Sequence, residues 1–408
     1  MPDPRALELA FDAWAKPLAD GSQLSGNVLV ARGSHIMLER SFGMAERELR
    51  VANTPQTRFC IASITKPITI IVAEQLIDEG KLSRTDLVGR WLPTFPGADS
   101  ITVDHLLRHQ SGIPHRVTNE EQESQPRTAA DMVDLASRVS REFRPGSRAS
   151  YSSAGYSVLA RVLELAGGAP YESLIARRVF RPAGMTRSAH LNSRVIVADR
   201  ASSYVQTAGE LQNAPLKDLS FLVGAGSVIS TARDLHRLVL ALLDGRLGKP
   251  SRETLVRGGR IQWNGSTNGF RCFANWDSAT NVILVFTGNL QTGAPDLAQQ
   301  ALEDILAGRE ASPMPTLNPR PIALPDSLLR SYEGLYRLPG GVTLPIRAKD
   351  GKLMSGDWPL IPTSRTTFFS SRDYAQVTVI MGAGLRPERL DWKIGRKVTA
   401  VVRVGDLP

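Results

Sequence analysis

Ser63-Ile64-Thr65-Lys66 is a stretch whose residue types and spacing could break an acyl bond. Three-residue spacing at the start of a helix puts both side chains on the same side of its first turn. A serine hydroxyl is a poor nucleophile until a neighbouring base takes its proton. A lysine does so only where burial and nearby positive charge lower its pKa. Pro67 fits a helix start, because a proline in the first turn has no helical hydrogen bond to lose. With nine lysines in the chain, the tetrad alone could equally be a capping serine beside a surface lysine. Two further stretches keep it company. Tyr151-Ser152-Ser153 lies in a loop just before a helix, and Trp263-Asn264-Gly265, followed by Ser266, lies where a late strand begins.

In this order the three stretches resemble the serine β-lactamase and penicillin-binding-protein superfamily, and within it the class C β-lactamases and β-lactamase-like carboxylesterases. That superfamily combines S-x-x-K with a middle motif and K-T-G. Residues 101–113, ending Ser111-Gly112-Ile113, resemble the family's helix and Ser-Gly-Ile turn. Gly224-Ala225-Gly226-Ser227 and the segment Ser230 to Leu235 resemble its glycine-rich turn and following helix. The resemblance spans about residues 5–310.

It implies that Ser63 is the acylated nucleophile, Lys66 its proton partner, and Tyr151 a second general acid/base near the leaving group. The backbone N–H groups of Ser63 and Ser266 would form the oxyanion hole, where losing one donor typically costs about 2.7–4 kcal/mol. Ser153, Trp263, Asn264 and Gly265 would bind substrate, with Gly265 allowing it close to the strand edge. Two departures matter. Ser153 replaces the usual Asn, and Trp263 replaces the Lys or His that supplies positive charge for a substrate carboxylate. The expected substrate is therefore a neutral ester, amide or thioester packed on an indole face, with efficient β-lactam hydrolysis disfavoured. The expected function is a serine hydrolase, carboxylesterase-like, without cofactor or metal. A transacylase passing the acyl group to an amine or alcohol is the enzymatic alternative, and a catalytically silent ligand-binding module is the non-enzymatic one.

Composition sets the bounds. The chain has 408 residues, 42% hydrophobic and 22% charged, ordinary for a globular protein with more than one core. The net charge is +9, but the basic residues are scattered as single arginines without interleaved aromatics, which disfavours nucleic acid as a partner. Cys60 and Cys272 read as small core residues. His105 and His109 have the spacing of a zinc pair, yet Leu106 stands where H-E-x-x-H needs Glu, so they read as packing residues. Tyr156 competes with Tyr151 and reads as helix packing, while Trp263 is either a pocket wall or a core tryptophan. Glu120-Glu121-Gln122-Glu123 reads as a solvated loop or a cleft border, and Gly33 and Gly341 as turn glycines. No run reaches the ~18 apolar residues of a membrane span and residues 1–5 are not an apolar leader, so the expectation is a protein free of the membrane and cytoplasmic. Nothing in the sequence fixes an oligomeric state.

The elements that must position these residues follow from periodicity. A helix is expected over residues 4–19, then strands 27–31 and 35–39 joined by Arg32-Gly33-Ser34. A helix runs from Ser63 to Asp78. Helices are read over 103–109, 129–139 and 157–166, strands over 270–276 and 282–286, and a helix over 295–306. The fold class is α/β, an antiparallel sheet flanked by helices with a helical insertion, class C β-lactamase-like by resemblance, plus a small C-terminal all-β barrel or meander. The expected domains are 1–310 (sheet from 1–80 and 231–310, insertion 81–230), a proline-rich linker 311–325, and a β domain 326–408.

Overall fold

The computed structural model describes every residue except 1, 208–209, 316–318, 340–341, 357, 384–385 and 408, so Gly341 lies outside the described residues. The chain forms two compact units. One comprises Ser25–Ser203 and Ala214–Asn289; the other comprises Met1–Leu24, Tyr204–Asn213 and Leu290–Pro408. The boundary at Asn289/Leu290 falls ahead of the proline-rich segment 311–325.

The first unit is built on a five-stranded antiparallel sheet in the order 260–267, 270–277, 282–288, 26–32, 35–42. Gly26–Arg32 and Val282–Gly288 are central, which is why they read as nearly continuous apolar runs: every residue of Val282–Gly288 is buried. Gly33, with φ +55°, makes the turn of the expected hairpin. Arg260–Thr267 is the edge strand and alternates buried and exposed side chains. The sequence reading had residues 263–270 at the start of a strand. They instead complete one strand and turn into the next through Asn268 and Gly269, both at positive φ (42° and 86°), the Asn-Gly signature of a tight hairpin.

The helix Ala232–Leu243 packs on the central strands. Between the two halves of the sheet lies the helical block that holds the chemistry. The helix expected from Ser63 begins as a 3-10 turn, Ala62–Ile64, and becomes α-helical over Thr65–Asp78. This helix is buried almost all round, with Ile68, Ile71, Val72 and Leu76 fully inaccessible in one continuous core. The helix expected from 157 starts at Ser153, because the Ser152 side chain caps it by accepting from the Gly155 N–H at 2.8 Å. The helix expected over 103–109 stops at Leu107, and His109 then takes φ +59°.

In the second unit the helices Pro4–Asp20 and Ala294–Leu306 pack together. Residues 334–405 form a closed eight-stranded antiparallel barrel, in which Gly334–Arg337 pairs with Lys397–Gly405 to close the ring. Its interior is filled by Tyr336, Phe368, Val377, Leu390 and Val401, as expected for an eight-stranded barrel of small diameter. The fold class read from the sequence is borne out, including the C-terminal β domain, which is a barrel. Among the described residues no helix is long and apolar enough to cross a membrane.

The buried helix Thr65–Asp78 makes a direct stability prediction. Ile71→Ala should lower the unfolding free energy by about 2–5 kcal/mol, read as a lower urea midpoint at unchanged m-value. An unchanged midpoint would contradict the packing described.

Candidate active site

The approach to Ser63 is fixed by backbone pairing. Phe59–Cys60 pairs with Val228–Ser230, and the Ile61 N–H continues the ladder to the Val228 carbonyl at 2.9 Å. Ala62 then takes φ +47°, a left-handed conformation unusual for a residue with a Cβ, and turns the chain into the helix. Ser63 emerges partly accessible while Lys66, one turn on, is 5% exposed.

The three expected catalytic groups converge. The Tyr151 hydroxyl donates to Ser63 Oγ at 2.8 Å, and Lys66 Nζ lies 3.5 Å from the same oxygen. Lys66 Nζ also donates to Ser153 Oγ at 3.3 Å and to the Ala225 carbonyl at 3.0 Å. Burial pushes the lysine down to about 7, so near neutral pH a substantial fraction is the free amine. Burial pushes the Tyr151 phenol upward, against the lowering pull of its bond to Ser63, even though 49% of the residue surface is accessible. Tyr151 therefore stays a phenol, a proton donor rather than a resident base. Tyr156, its sequence competitor, is buried and donates to the Leu107 carbonyl at 3.0 Å.

Ser153, which stands where the family has Asn, is turned towards Lys66 as an acceptor. The strand Arg260–Thr267 brings its residues to the nucleophile turn in a way that differs from the sequence expectation. Gly265 is needed for protein packing: a Cβ there would lie 2.3 Å from the Ile61 carbonyl oxygen and 3.2 Å from the Ala62 Cβ. The close approach is thus between the strand and the turn that carries Ser63. Trp263 is 8% exposed and belongs to the continuous apolar core. Asn264 alternates to the other face of the strand and is exposed, away from the Trp263 and Gly265 side.

Two residues of the site escaped the sequence reading. His109 Nδ1 accepts from the Ser152 N–H at 3.1 Å, and its ring lies 4.6 Å from that of Tyr151 and 4.9 Å from that of Tyr156. His115 Nδ1 accepts from the Ser153 N–H at 3.3 Å, with its ring 5.5 Å from that of Tyr151. Burial, with Lys66 nearby, drives His109 down to about 4 and also lowers His115. The sequence expects His109 to be a packing residue, and His115 carries no sequence signal. The two cysteines are buried thiols, each pushed up to about 12 by burial. Among the described residues no three His, Cys, Asp or Glu come together as a metal-binding group.

A serine bonded to a phenol and flanked by a buried amine, set between a five-stranded antiparallel sheet and a helical block, defines a β-lactamase-type serine hydrolase fold. The sequence model of the Beta-lactamase family matches residues 11–260, and the chain belongs to that family. A penicillin-binding protein of Bacillus subtilis (strain 168) is 27% identical over 444 residues, covering 94% of this chain and 96% of that one. The crystal structure of a penicillin-binding protein from Bacillus halodurans superposes with a TM-score of 0.63 at 27% identity, covering 72% of this chain and 98% of that chain. EstCE1, described as a hydrolase with promiscuous acyltransferase activity, shares the fold with a TM-score of 0.60 at 22% identity, over 70% of this chain and 94% of its own.

Two outcomes follow from the geometry. Acylation of Ser63 by an activated ester should rise with pH through an apparent pKa near about 7, as Lys66 sheds its proton, and Lys66→Arg should abolish that limb. A pH-independent acylation rate between pH 5 and pH 9 would refute the role of the amine. Gly265→Ala should separate strand from nucleophile turn, lowering the melting temperature and cutting the acylation rate about a hundredfold. A variant with unchanged melting and rate would show the approach to be unimportant.

Proposed function

We propose that the protein is a carboxylesterase-like serine hydrolase working through an acyl-Ser63 intermediate. The observation that carries this reading is the convergence of Lys66 Nζ and the Tyr151 hydroxyl on Ser63 Oγ, at 3.5 and 2.8 Å. The free amine of Lys66 receives the Ser63 proton as Oγ adds to the substrate carbonyl carbon. The negative charge on the carbonyl oxygen meets the N–H groups of Ser63 and Ser266. Tyr151, protonated, gives its proton to the leaving alkoxide and recovers it from the water that attacks the acyl-enzyme; Lys66 returns its proton to Ser63 as the acid departs.

Substrate class follows from charge. The third motif begins with Trp263 in the core, where a Lys or His would face a substrate carboxylate, so neutral esters are favoured over β-lactams and peptides. The resemblance of fold to EstCE1 supports acyl transfer to an alcohol or amine as the second outcome for the same intermediate.

Intact-protein mass spectrometry after exposure to p-nitrophenyl acetate should show one acetyl group on Ser63, with a burst of nitrophenolate. Both signals should vanish in Ser63→Ala, and Tyr151→Phe should slow turnover about 10²–10⁴-fold. Penicillin turnover comparable to that of the ester would sink the neutral-substrate reading. Acceptor-dependent consumption of the ester on adding an amine or alcohol would shift the conclusion to acyl transfer, and absence of any covalent adduct would leave only ligand binding.

A further inference from the structure

The hydrogen bonds that follow Tyr151 in the chain are unusual in kind. Two successive backbone amides, those of Ser152 and Ser153, donate to imidazole nitrogens of His109 and His115 rather than to carbonyls. The same two rings lie against the Tyr151 ring, at centroid distances of 4.6 and 5.5 Å. The turn carrying both histidines is knitted to the tyrosine loop. The Ser150 N–H donates to the His109 carbonyl at 2.9 Å, and the Ser152 hydroxyl donates to the Pro114 carbonyl at 3.0 Å. The Gly112 turn between them leaves no room for a Cβ, which would sit 2.2 Å from the Phe143 carbonyl oxygen.

We infer that His109 and His115 are positioning residues that hold the Tyr151 hydroxyl on Ser63 as neutral acceptors, and that protonation of His115 loosens this hold. The inference rests on the acyl-Ser63 reading above. An imidazole accepting through Nδ1 carries its single proton on Nε2, whereas an imidazolium has N–H at both positions and would set a donor against a donor. His115 is the exposed member of the pair and so exchanges protons with solvent. Lys66 on the nucleophile helix and Arg116 beside it in the chain oppose charge on its ring, while Glu142 on the facing loop favours it. Around His109 stand Lys66, His115 and the rings of Tyr151 and Tyr156.

The clamp can be read without turnover. In nitrogen NMR of the histidine side chains at neutral pH, both Nδ1 atoms should be unprotonated; a proton on either Nδ1 overturns the inference even in an active enzyme. Unprotonated Nδ1 atoms in a protein that never acylates Ser63 would uphold the clamp and sink the functional reading instead. In kinetics, His115→Ala should lower kcat for p-nitrophenyl acetate about ten- to a hundredfold with KM changed less than about threefold. His115→Asn, whose amide oxygen can take the Ser153 N–H, should restore most of kcat. Activity of the wild type should fall more steeply below neutral pH than that of His115→Asn, because Lys66 and His115 both take protons in the first and only Lys66 in the second. Wild-type kinetics in His115→Ala, an Asn variant as slow as the Ala variant at a wild-type melting temperature, or equal slopes on the acid side would each overturn the inference.

Discussion

Lys66 is an amine taken out of water and given, among the described residues, uncharged oxygens to bond: Ser63 Oγ, Ser153 Oγ and the Ala225 carbonyl. The drop from the ordinary 10.5 to about 7 corresponds to roughly 5 kcal/mol against the charged form. A carboxylate among those three acceptors would have favoured the ammonium and worked against the proposed use of the residue as a base. Burial is thus what lowers the amine, its uncharged partners leave that shift unopposed, and each partner is supplied by a different part of the chain. Ser63 comes from the helix turn, Ser153 from the first turn of another buried helix, and Ala225 from the glycine-rich turn before Val228–Ser230. Their agreement in space requires the continuous core beneath them, and an apolar core is also what removes water from the amine.

The same logic explains where the backbone is held tightest. Ala62 tolerates a left-handed conformation because strand pairing on one side and the helix on the other over-determine it. Gly265 then presses the edge strand onto the Ile61 carbonyl, so the strand's position depends on the absence of a single carbon. The proposed oxyanion donors would be useful only if they did not move when charge develops, and a strand seated directly on the Ser63 turn meets that requirement. Thr65 adds to it by accepting the Val228 N–H at 3.1 Å through its hydroxyl, tying the helix start to the neighbouring strand.

Much of this was legible in the sequence, and the residues that were not share a cause. The pairing of Ser63 and Lys66 could be read because they stand at three-residue spacing, which a helix converts into proximity. Tyr151 needed the resemblance, since no local rule brings residue 151 to residue 63. Strands and helices with clear periodicity appeared close to their expected limits. The alternation that puts Asn264 opposite Trp263 was available from strand geometry, as was the Asn268-Gly269 turn; both were lost by treating 263–270 as one motif. The packing of Gly265 on Ile61 is not legible from sequence, because the two are remote along the chain. His115 was invisible for a different reason: it works through a backbone amide 38 positions away, and an amide carries no residue identity.

The protonation states around Ser63 constrain one another. On the alkaline side of neutrality Lys66 is a free amine, Tyr151 a phenol, and His109 and His115 neutral rings, so the groups that meet at the nucleophile are uncharged together. A proton on Lys66 raises the cost of adding one to either histidine, because Lys66 opposes charge on both. A site in that state has dipoles and hydrogen bonds to offer but no fixed charge at the reacting atoms. It stabilises charge that appears during reaction better than charge the substrate brings with it, and that difference is what accelerates a chemical step. On the carboxylesterase-like reading proposed above, a neutral ester, whose carbonyl oxygen becomes negative only on attack, is the kind of substrate such an arrangement would serve.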